Sequence, residues 1–578
     1  MTTVADTIVS NLAAHGVSRV WGVPGDSLNA VTDAIRRQDG IDWYLVAHEE
    51  EAALAAAGEA AVTGDLAVCA GSCGPGNLHL INGLYDAQRS RVPVLAIAAQ
   101  IPSDEIGSGY FQETRPMHLF RDCSVFCETV LSAEQMPRLL EMAMRAAIEQ
   151  RGVAVLVIAG DVALSAASNE RDVVVAKTHP VIVPSAEELH TAADLLNSAG
   201  KVTILAGSGV EGAHDEVVAL ADALGSPIVH ALRGKEFIEH DNPFDVGMTG
   251  LLGFASGYRA MEACDTLLML GTDFPYQQFF PEDAKIVQVD IRGEHLGRRT
   301  PITQGLVGGV RETAAALLPL IERKKDRAHL EKSLDHYRRT RKELDSLEKQ
   351  GRGPIHPQHL THLIDELADD DAIFVPDVGT PVIWASRHLR ISADRRLIGS
   401  FWHGTMAAAT PLAMGAQAVD RSRQVVVLAG DGGLSMLLGE LITAVRHDLP
   451  IKIVVYTNDA LAFVEVEMKS AGIVNYGTGL GYEQGRADPD FAAIAQAVGM
   501  HGESVEEGGD IEGALRRAFE HDGPALVSVK VDRQELSIPP HVEAKQAGGF
   551  ALYALRTVLG GNGRELIDLA KANARQLL

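Results

Sequence analysis

Between Gln424 and Phe463 the chain reads QVVVLAGDGGLSMLLGELITAVRHDLPIKIVVYTNDALAF. Two β-branched apolar runs, Val425 to Leu428 and Ile451 to Tyr456, bracket a helix-patterned stretch. Apolar runs of this length without alternation read as strands covered on both faces of a parallel sheet. A right-handed crossover between parallel strands brings both C-terminal ends to one sheet edge. Asp431, after the first strand, and Asn458, after the second, therefore converge. With the backbone carbonyl of Ala460 they form a hard oxygen set suited to Mg²⁺ carried by a diphosphate. Gly430, Gly432 and Gly433 let the backbone approach phosphate oxygens, and the helix that follows offers unpaired N–H groups to an anion. Taken alone, the same letters also describe a plain strand-turn-helix.

The 578 residues allow about three or four such α/β units. A formal charge of −26 argues against a nucleic-acid partner and against adhesion to anionic lipid by charge alone. Cys69, Cys73, Cys123, Cys127 and Cys264 are sparse and lack a second pair or spaced His, so they read as packed, reduced thiols. With no signal-like N-terminus and no apolar run of about 18 residues, the expectation is a cytosolic chain.

Residues 1–178 read as a first α/β unit. Here DWYLVAHEE predicts a strand stopping at His48, and Glu49 begins an Ala-rich helix at the edge where open sheets place ligands. Taken by itself, Glu49 reads as an N-terminal acid favoured by the helix dipole. GSCGPGN after the next strand predicts a sharp turn, and residues 105–116 a polar, aromatic loop. Residues 168–185 lose periodicity and read as a linker. In the second unit, Gly207, Gly209 and Gly212 stand in GxGxxG spacing after a strand, a weak dinucleotide fingerprint. Thr249 to Leu252, Thr272 to Tyr276 and Asp290 fall at further turns or strand ends, so a nicotinamide, a flavin or a vestigial site fits. Residues 321–356 read as a solvated connecting helix, and a third unit follows.

GDGG followed by a strand ending in Asn resembles the diphosphate and Mg²⁺ motif of thiamine diphosphate enzymes, with Thr457 where the family often has a first Asn. HEEEAALAAAGEA and GSCGPGN resemble two further segments of that family. The resemblance covers essentially the whole chain. It implies three doubly wound α/β parallel-sheet domains: pyrimidine-binding (1–178), central FAD-binding (185–330) and diphosphate-binding (331–530). Glu49 would then hydrogen-bond the cofactor's aminopyrimidine ring, where a desolvated carboxylate can share a ring proton. Gly404, Thr405 and Met406 would hold that ring through backbone contacts. Asp431, Asn458 and Ala460 would bind Mg²⁺, and Asp431, Gly432, Gly433, Asn458, Asp459, Ala460, Leu461, Ala462, Phe463 and Val464 the cofactor. His48 would be positional, and His403 is read as more often structural than acid-base.

Within the family the resemblance reaches the flavin-dependent pyruvate oxidase branch, whose quinone-linked bacterial members pass electrons to membrane ubiquinone. It implies FAD at Thr249, Gly250, Leu251, Leu252, Thr272, Asp273, Phe274, Pro275, Tyr276 and Asp290. Phe111 and Gln112 would line a pyruvate pocket, and Phe463 is implied to enter the active site on activation. A homotetramer built as a dimer of dimers follows, since the family shares each site between subunits. Residues 531–578 resemble a lipid-binding tail: Leu552, Leu555 and Leu559, with Phe550 and Tyr553, give an apolar face for a phospholipid surface. The implied location is peripheral, on the cytoplasmic face of the cell membrane. The alternative is a non-redox lyase such as acetolactate synthase.

Overall fold

The computed structural model describes residues 2–168, 175–349, 353–481, 488–535 and 544–559, with isolated positions 566, 569, 570 and 573. The first sheet contains β1 (Arg19–Gly22), β2 (Asp42–Leu45), β3 (Ala67–Gly71), β4 (Val94–Gln100), β5 (Phe126–Val130) and β6 (Val153–Ala159). The second contains β7 (Val202–Ala206), β8 (Ile228–His230), β9 (Asp245–Met248), β10 (Thr266–Leu270), β11 (Lys285–Asp290) and β12 (Gln304–Val307). The third contains β13 (Ile373–Pro376), β14 (Arg396–Leu397), β15 (Val425–Gly430), β16 (Lys452–Thr457), β17 (His501–Val505) and β18 (Ala525–Lys530). The described strand pairs are parallel. The α/β class with three parallel sheets is therefore the architecture of this chain.

The outer sheets share one order, β2-β1-β3-β4-β6-β5 and β14-β13-β15-β16-β18-β17, whereas the middle sheet runs β9-β8-β7-β10-β11-β12. The middle order is that of dinucleotide-binding sheets, which take ligands at the crevice where the order reverses. In the third sheet the reversal lies between β13 and β15, so the loops after Pro376 and Gly430 flank it.

The first and third units are joined by two helices, Glu49–Thr63 and Ala409–Val419, whose Ala-rich faces belong to one buried core. Side chains this small give little area each, so the contact depends on close backbone approach. A Cβ on Gly415 would lie 1.9 Å from the Ala55 carbonyl oxygen, and one on Gly58 2.0 Å from that of Leu412. Neither backbone oxygen can yield without separating the helices.

Three expectations change. The strand before Glu49 ends at Leu45, not His48, because Val46 to His48 leave the ladder and His48 caps the next helix by accepting from the Glu50 N–H at 3.3 Å. The charged segment forms the helix Ala328–Leu347, and it is more than a solvated connector: Leu330 is buried in the core of the central unit and Leu334 packs against it. The GxGxxG pattern has a packing reason. Gly207 and Gly209 lie against the β10 loop, where added Cβ atoms would come 2.5 Å from Thr272 Cβ and 2.6 Å from Gly271 Cα. Their amides bond Leu270 and Gly271 carbonyls, so these glycines close a loop contact.

Gly415→Val should destabilise the junction by about 1–3 kcal/mol or more. It should lower the thermal midpoint followed by circular dichroism, whereas Gly509→Val, where nothing lies within 4 Å of the added carbon, should not.

Candidate active site

At the third sheet's edge, β15 ends at Gly430 and the helix Asp431–Met436 starts at once. Asp431 Oδ2 accepts from the Asn458 and Asp459 amides at 2.9 and 2.7 Å, and Oδ1 from its neighbour Gly432 at 2.9 Å. The crossover thus brings Asp431 and Asn458 together as the sequence spacing required. The Asn458 side-chain oxygen accepts from the Ala460 amide at 3.2 Å, and Asp459 takes a left-handed φ of 56° to turn the chain there. Despite three amide donors, burial pushes the Asp431 carboxyl up to about 6, helped by the Asp459 carboxylate beside it. A divalent cation held by these hard oxygens would offset both effects.

Gly433 lies where a Cβ would fall 1.8 Å from Asp377 Oδ2. Asp377, just past β13, is 2% exposed, accepts from the Ala407 amide at 3.1 Å and is pushed up to about 6 by burial. It ties the Gly404–Met406 loop to the Gly432–Gly433 turn across the reversal point. The amides of Gly404 and Thr405 both donate to Ser400 Oγ at 3.0 Å. Leu461 and Val464 are half-buried beside buried Ala462. Phe463, in the helix Ala462–Ser470, packs half-buried on the third unit's core.

The Glu49–Thr63 helix opens with three acids that take three directions. Glu49, 8% exposed, places Oε2 2.9 Å from His79 Nδ1. Glu50 accepts from Asn82 Nδ2 at 2.7 Å, and the same nitrogen donates to Thr405 Oγ1 at 2.8 Å, linking first and third units. Glu51 turns inward, accepts from the Ala47 amide at 3.0 Å and is pushed up to about 7 by burial. Glu440 of the third unit is 1% exposed, and burial together with the Glu51 carboxylate raises it well above the ordinary range.

His48 stacks on His79 with ring centroids 4.2 Å apart. His403 is held by the Asn82 side-chain oxygen at 2.8 Å and stacks on Tyr85. Phe111 is 78% exposed, and Gln112 lies against Gly74 of the GSCGPGN turn with φ 62°. His79 escaped the sequence reading. Its signal was its place one turn into the helix Pro75–Ser90, directly after that turn.

At the middle sheet's edge Thr249 is buried, and its hydroxyl has no partner among the described residues. Gly250 takes φ 98°, Leu251 and Leu252 are half-buried, and Arg387 donates to the Leu252 and Gly253 carbonyls at 3.0 and 3.1 Å. Thr272 is buried, Asp273 accepts from Arg299 Nε at 2.7 Å, and Phe274 packs edge-on to Tyr276 beside exposed Pro275. Asp290, 4% exposed, accepts from the Arg292 amide at 2.9 Å. Arg91, from the first unit, joins this edge. Burial and the Arg292 charge lower its affinity for its proton, and its guanidinium lies 3.4 Å from His295 Nδ1. The sequence gives no local sign of it.

The tail helix Ala544–Leu559 packs on the Ala462–Ser470 helix. Tyr553 is buried under Lys469, whose ammonium sits 5.7 Å from the ring centroid, and Arg556 donates to the Gly472 carbonyl at 2.6 Å. Phe550 is half-buried, while Leu552 and Leu555 are 40% and 56% exposed. The Leu559 side chain and most of the following residues lie outside the described residues. No described helix is long and apolar enough to cross a membrane.

The sequence matches three thiamine pyrophosphate (thiamine diphosphate) enzyme domains: the N-terminal TPP binding domain over residues 2–119, the central domain over 189–317 and the C-terminal TPP binding domain over 377–529. It is 37% identical to YdaP of Bacillus subtilis (strain 168), described as a thiamine pyrophosphate-containing protein, over 99% of both chains. The chain belongs to the thiamine pyrophosphate enzyme family. Two further relatives mark its range. One is acetolactate synthase isozyme 2 large subunit of Escherichia coli (strain K12), 31% identical over 92% of this chain and 96% of that one. The other is pyruvate oxidase of Lactiplantibacillus plantarum, 30% identical over 91% and 88%.

Glu51 and Glu440 give this family member a pH-dependent domain junction. Glu51 binds its proton more tightly folded than unfolded, so its contribution to stability falls as pH rises from about 4.5 to about 7. Glu51→Gln should flatten the thermal midpoint over that interval, and an unchanged pH profile would remove the assignment.

Proposed function

We propose that this enzyme oxidatively decarboxylates pyruvate to acetate and carbon dioxide, using thiamine diphosphate, Mg²⁺ and FAD, and passes two electrons to a membrane quinone. The balanced reaction is pyruvate plus water plus quinone giving acetate, carbon dioxide and quinol. The observation that carries this reading is the tail helix. It docks on the helix that starts just beyond Asn458 and Ala460 and carries Phe463, yet leaves Leu555 exposed and Leu552, against Gly472, exposed in part. A tail so placed can join the reaction centre to a phospholipid surface and its ubiquinone, which a lyase does not need.

Thiamine diphosphate, when bound, would supply a thiazolium ring whose acidic carbon, once deprotonated, is a nucleophile toward a keto carbon and whose ring nitrogen can accept the electron pair released by decarboxylation. The chain does the rest. Glu49, buried beside His79, is placed to share a proton with the aminopyrimidine nitrogen. Asp431, the Asn458 side-chain oxygen and the Ala460 carbonyl form the Mg²⁺ set, and Gly432 and Gly433 leave room for the diphosphate. The Gly404–Met406 backbone, fixed by Ser400 and Asn82, supports the pyrimidine ring. Phe111 and Phe463 bound the pyruvate pocket.

For FAD, the unpartnered Thr249 hydroxyl, buried Asp290 and neighbouring arginines fit a nucleotide diphosphate and ribose. By resemblance to the family, each cofactor spans two subunits, in a homotetramer made of two such dimers, peripheral on the cytoplasmic face of the cell membrane.

The second reading is an acetolactate synthase-like lyase, favoured by the 31% identity to that relative. Flavin absorbance under anaerobic conditions, with Mg²⁺ and thiamine diphosphate present, separates the two. Bleaching by pyruvate and recovery on a soluble quinone is expected; a bound flavin that never bleaches, with carboligation of two pyruvates, establishes the lyase. Glu49→Gln should keep flavin bound while lowering turnover at least 100-fold, about the contribution of one positioned acid-base group. Protease cleavage of the tail should accelerate when pyruvate is added to the Mg²⁺-thiamine diphosphate enzyme, and an unaltered rate would remove the tail's release from the mechanism.

A further inference from the structure

We propose that His48, Glu49 and His79 form a second, separate cation site that takes a borderline transition metal, Zn²⁺ above all, and that its occupation withholds Glu49 from the cofactor. One ligand atom from each of the three lies within 4.8 Å of the others. Two stand closer still, since His79 Nδ1 is 2.9 Å from Glu49 Oε2. The imidazoles of His48 and His79 stack with ring centroids 4.2 Å apart.

The donor types decide the metal. Two imidazoles and one carboxylate are the protein ligands of an open zinc site with a fourth position left for water. Nitrogen donors favour Zn²⁺ over Mg²⁺, whereas Asp431, Asn458 and a backbone carbonyl offer oxygen alone. Two sites in one enzyme thereby sort two kinds of cation. The geometry needs only a small closure. Ligands about 2.0–2.1 Å from a tetrahedral Zn²⁺ stand roughly 3.3 Å from one another, against the 4.8 Å within which these three lie, and the His79 side chain is 43% exposed. The same exposure gives the ion its way in. Neighbouring Glu50 adds negative charge, though its carboxylate is engaged by Asn82.

The fold explains why the three meet. His48 is the N-cap of the Glu49–Thr63 helix after β2, and His79 lies one turn into the helix after β3. Both helices begin at the same edge of the first sheet. A Zn²⁺ on Glu49 neutralises the carboxylate and blocks its approach to a ring nitrogen. Zinc and thiamine diphosphate would therefore exclude each other, which makes cofactor loading sensitive to free zinc. This consequence rests on the reading of Glu49 given above; the metal site itself does not.

The test uses the full-length protein freed of cofactors and metals with a chelator, titrated with Co²⁺ and then Zn²⁺. One equivalent of Co²⁺ per chain with visible d–d absorption, displaced by Zn²⁺ and not by Mg²⁺, is expected. His79→Gln and His48→Gln should each weaken Zn²⁺ binding at least tenfold. The first changes a half-exposed helix position, and the second keeps an acceptor for the Glu50 amide, so both variants should retain the parent's thermal midpoint. Absence of stoichiometric binding up to millimolar metal, or binding untouched by both substitutions, overturns the site. Adding Mg²⁺ and thiamine diphosphate should expel the Zn²⁺. Zn²⁺ that needs all three residues yet is not expelled upholds the metal site and removes Glu49 from the cofactor, so the two ideas fail separately.

Discussion

The close crossing of the Glu49–Thr63 and Ala409–Val419 helices sets the position of Glu49 relative to the Gly404–Met406 loop. It works because Gly58 and Gly415 each face a backbone carbonyl of the other helix at a distance no Cβ could occupy. The alanines around them bury little apolar surface apiece, so their stabilisation comes from many short dispersion contacts that vanish if the helices part. Glu49 begins one of these helices, and the Gly404–Met406 loop feeds the other. Asn82 then fixes the loop to Glu50. A packing constraint in small residues thus becomes a positional constraint on the acid and the loop.

The same crossing buries two further acids at low cost in contacts and high cost in charge. Glu51 and Glu440 approach each other from the two units, and burial raises both above the ordinary carboxylate range. Asp377 and Asp431 are pushed the same way at the third sheet's edge, though amide donors oppose it. Protonatable carboxyls gather where the two units meet, and perturbed groups of this kind mark functional clefts more often than passive cores.

Much of this was legible in the chain itself. The buried parallel strands between Gln424 and Phe463 declare themselves by unbroken apolar runs, and right-handed crossover fixes where Asp431 and Asn458 must lie. Those are local patterns acted on by a nearly universal rule. What stayed hidden depended on pairing across long separations. His79 reaches Glu49 across 30 positions, and Arg91 comes from the first unit to an edge of the second. Gly207 and Gly209 are ambiguous for the complementary reason: a loop that must pack on another loop uses the same residue as one that cradles a phosphate. The charged Ala328–Leu347 helix misled because one apolar stripe suffices to seat it on a core, and charge counting averages that stripe away.

The tail shows how far a weak contact can carry function. Its docking includes a glycine crossing, a ring under an ammonium and a guanidinium on a carbonyl: a Cβ on Gly549 would meet Ser470 O at 1.8 Å, Tyr553 lies beneath Lys469, and Arg556 caps Gly472. A cation–π contact is worth about 0.5–2 kcal/mol and a charge-assisted hydrogen bond about 1.5–3 kcal/mol. Such a helix can be displaced by a competing surface, because a ligand shifts an equilibrium only by its difference in affinity for the two states. The helix it leaves carries Glu465, buried between Lys469 and Arg533, and Phe463 at its start. Under the proposed function, undocking frees the outer face of that helix while those ion pairs hold the inner one. Phe463 can then move without the Asp431–Asn458 contacts, which lie on the strand side of the turn, being disturbed.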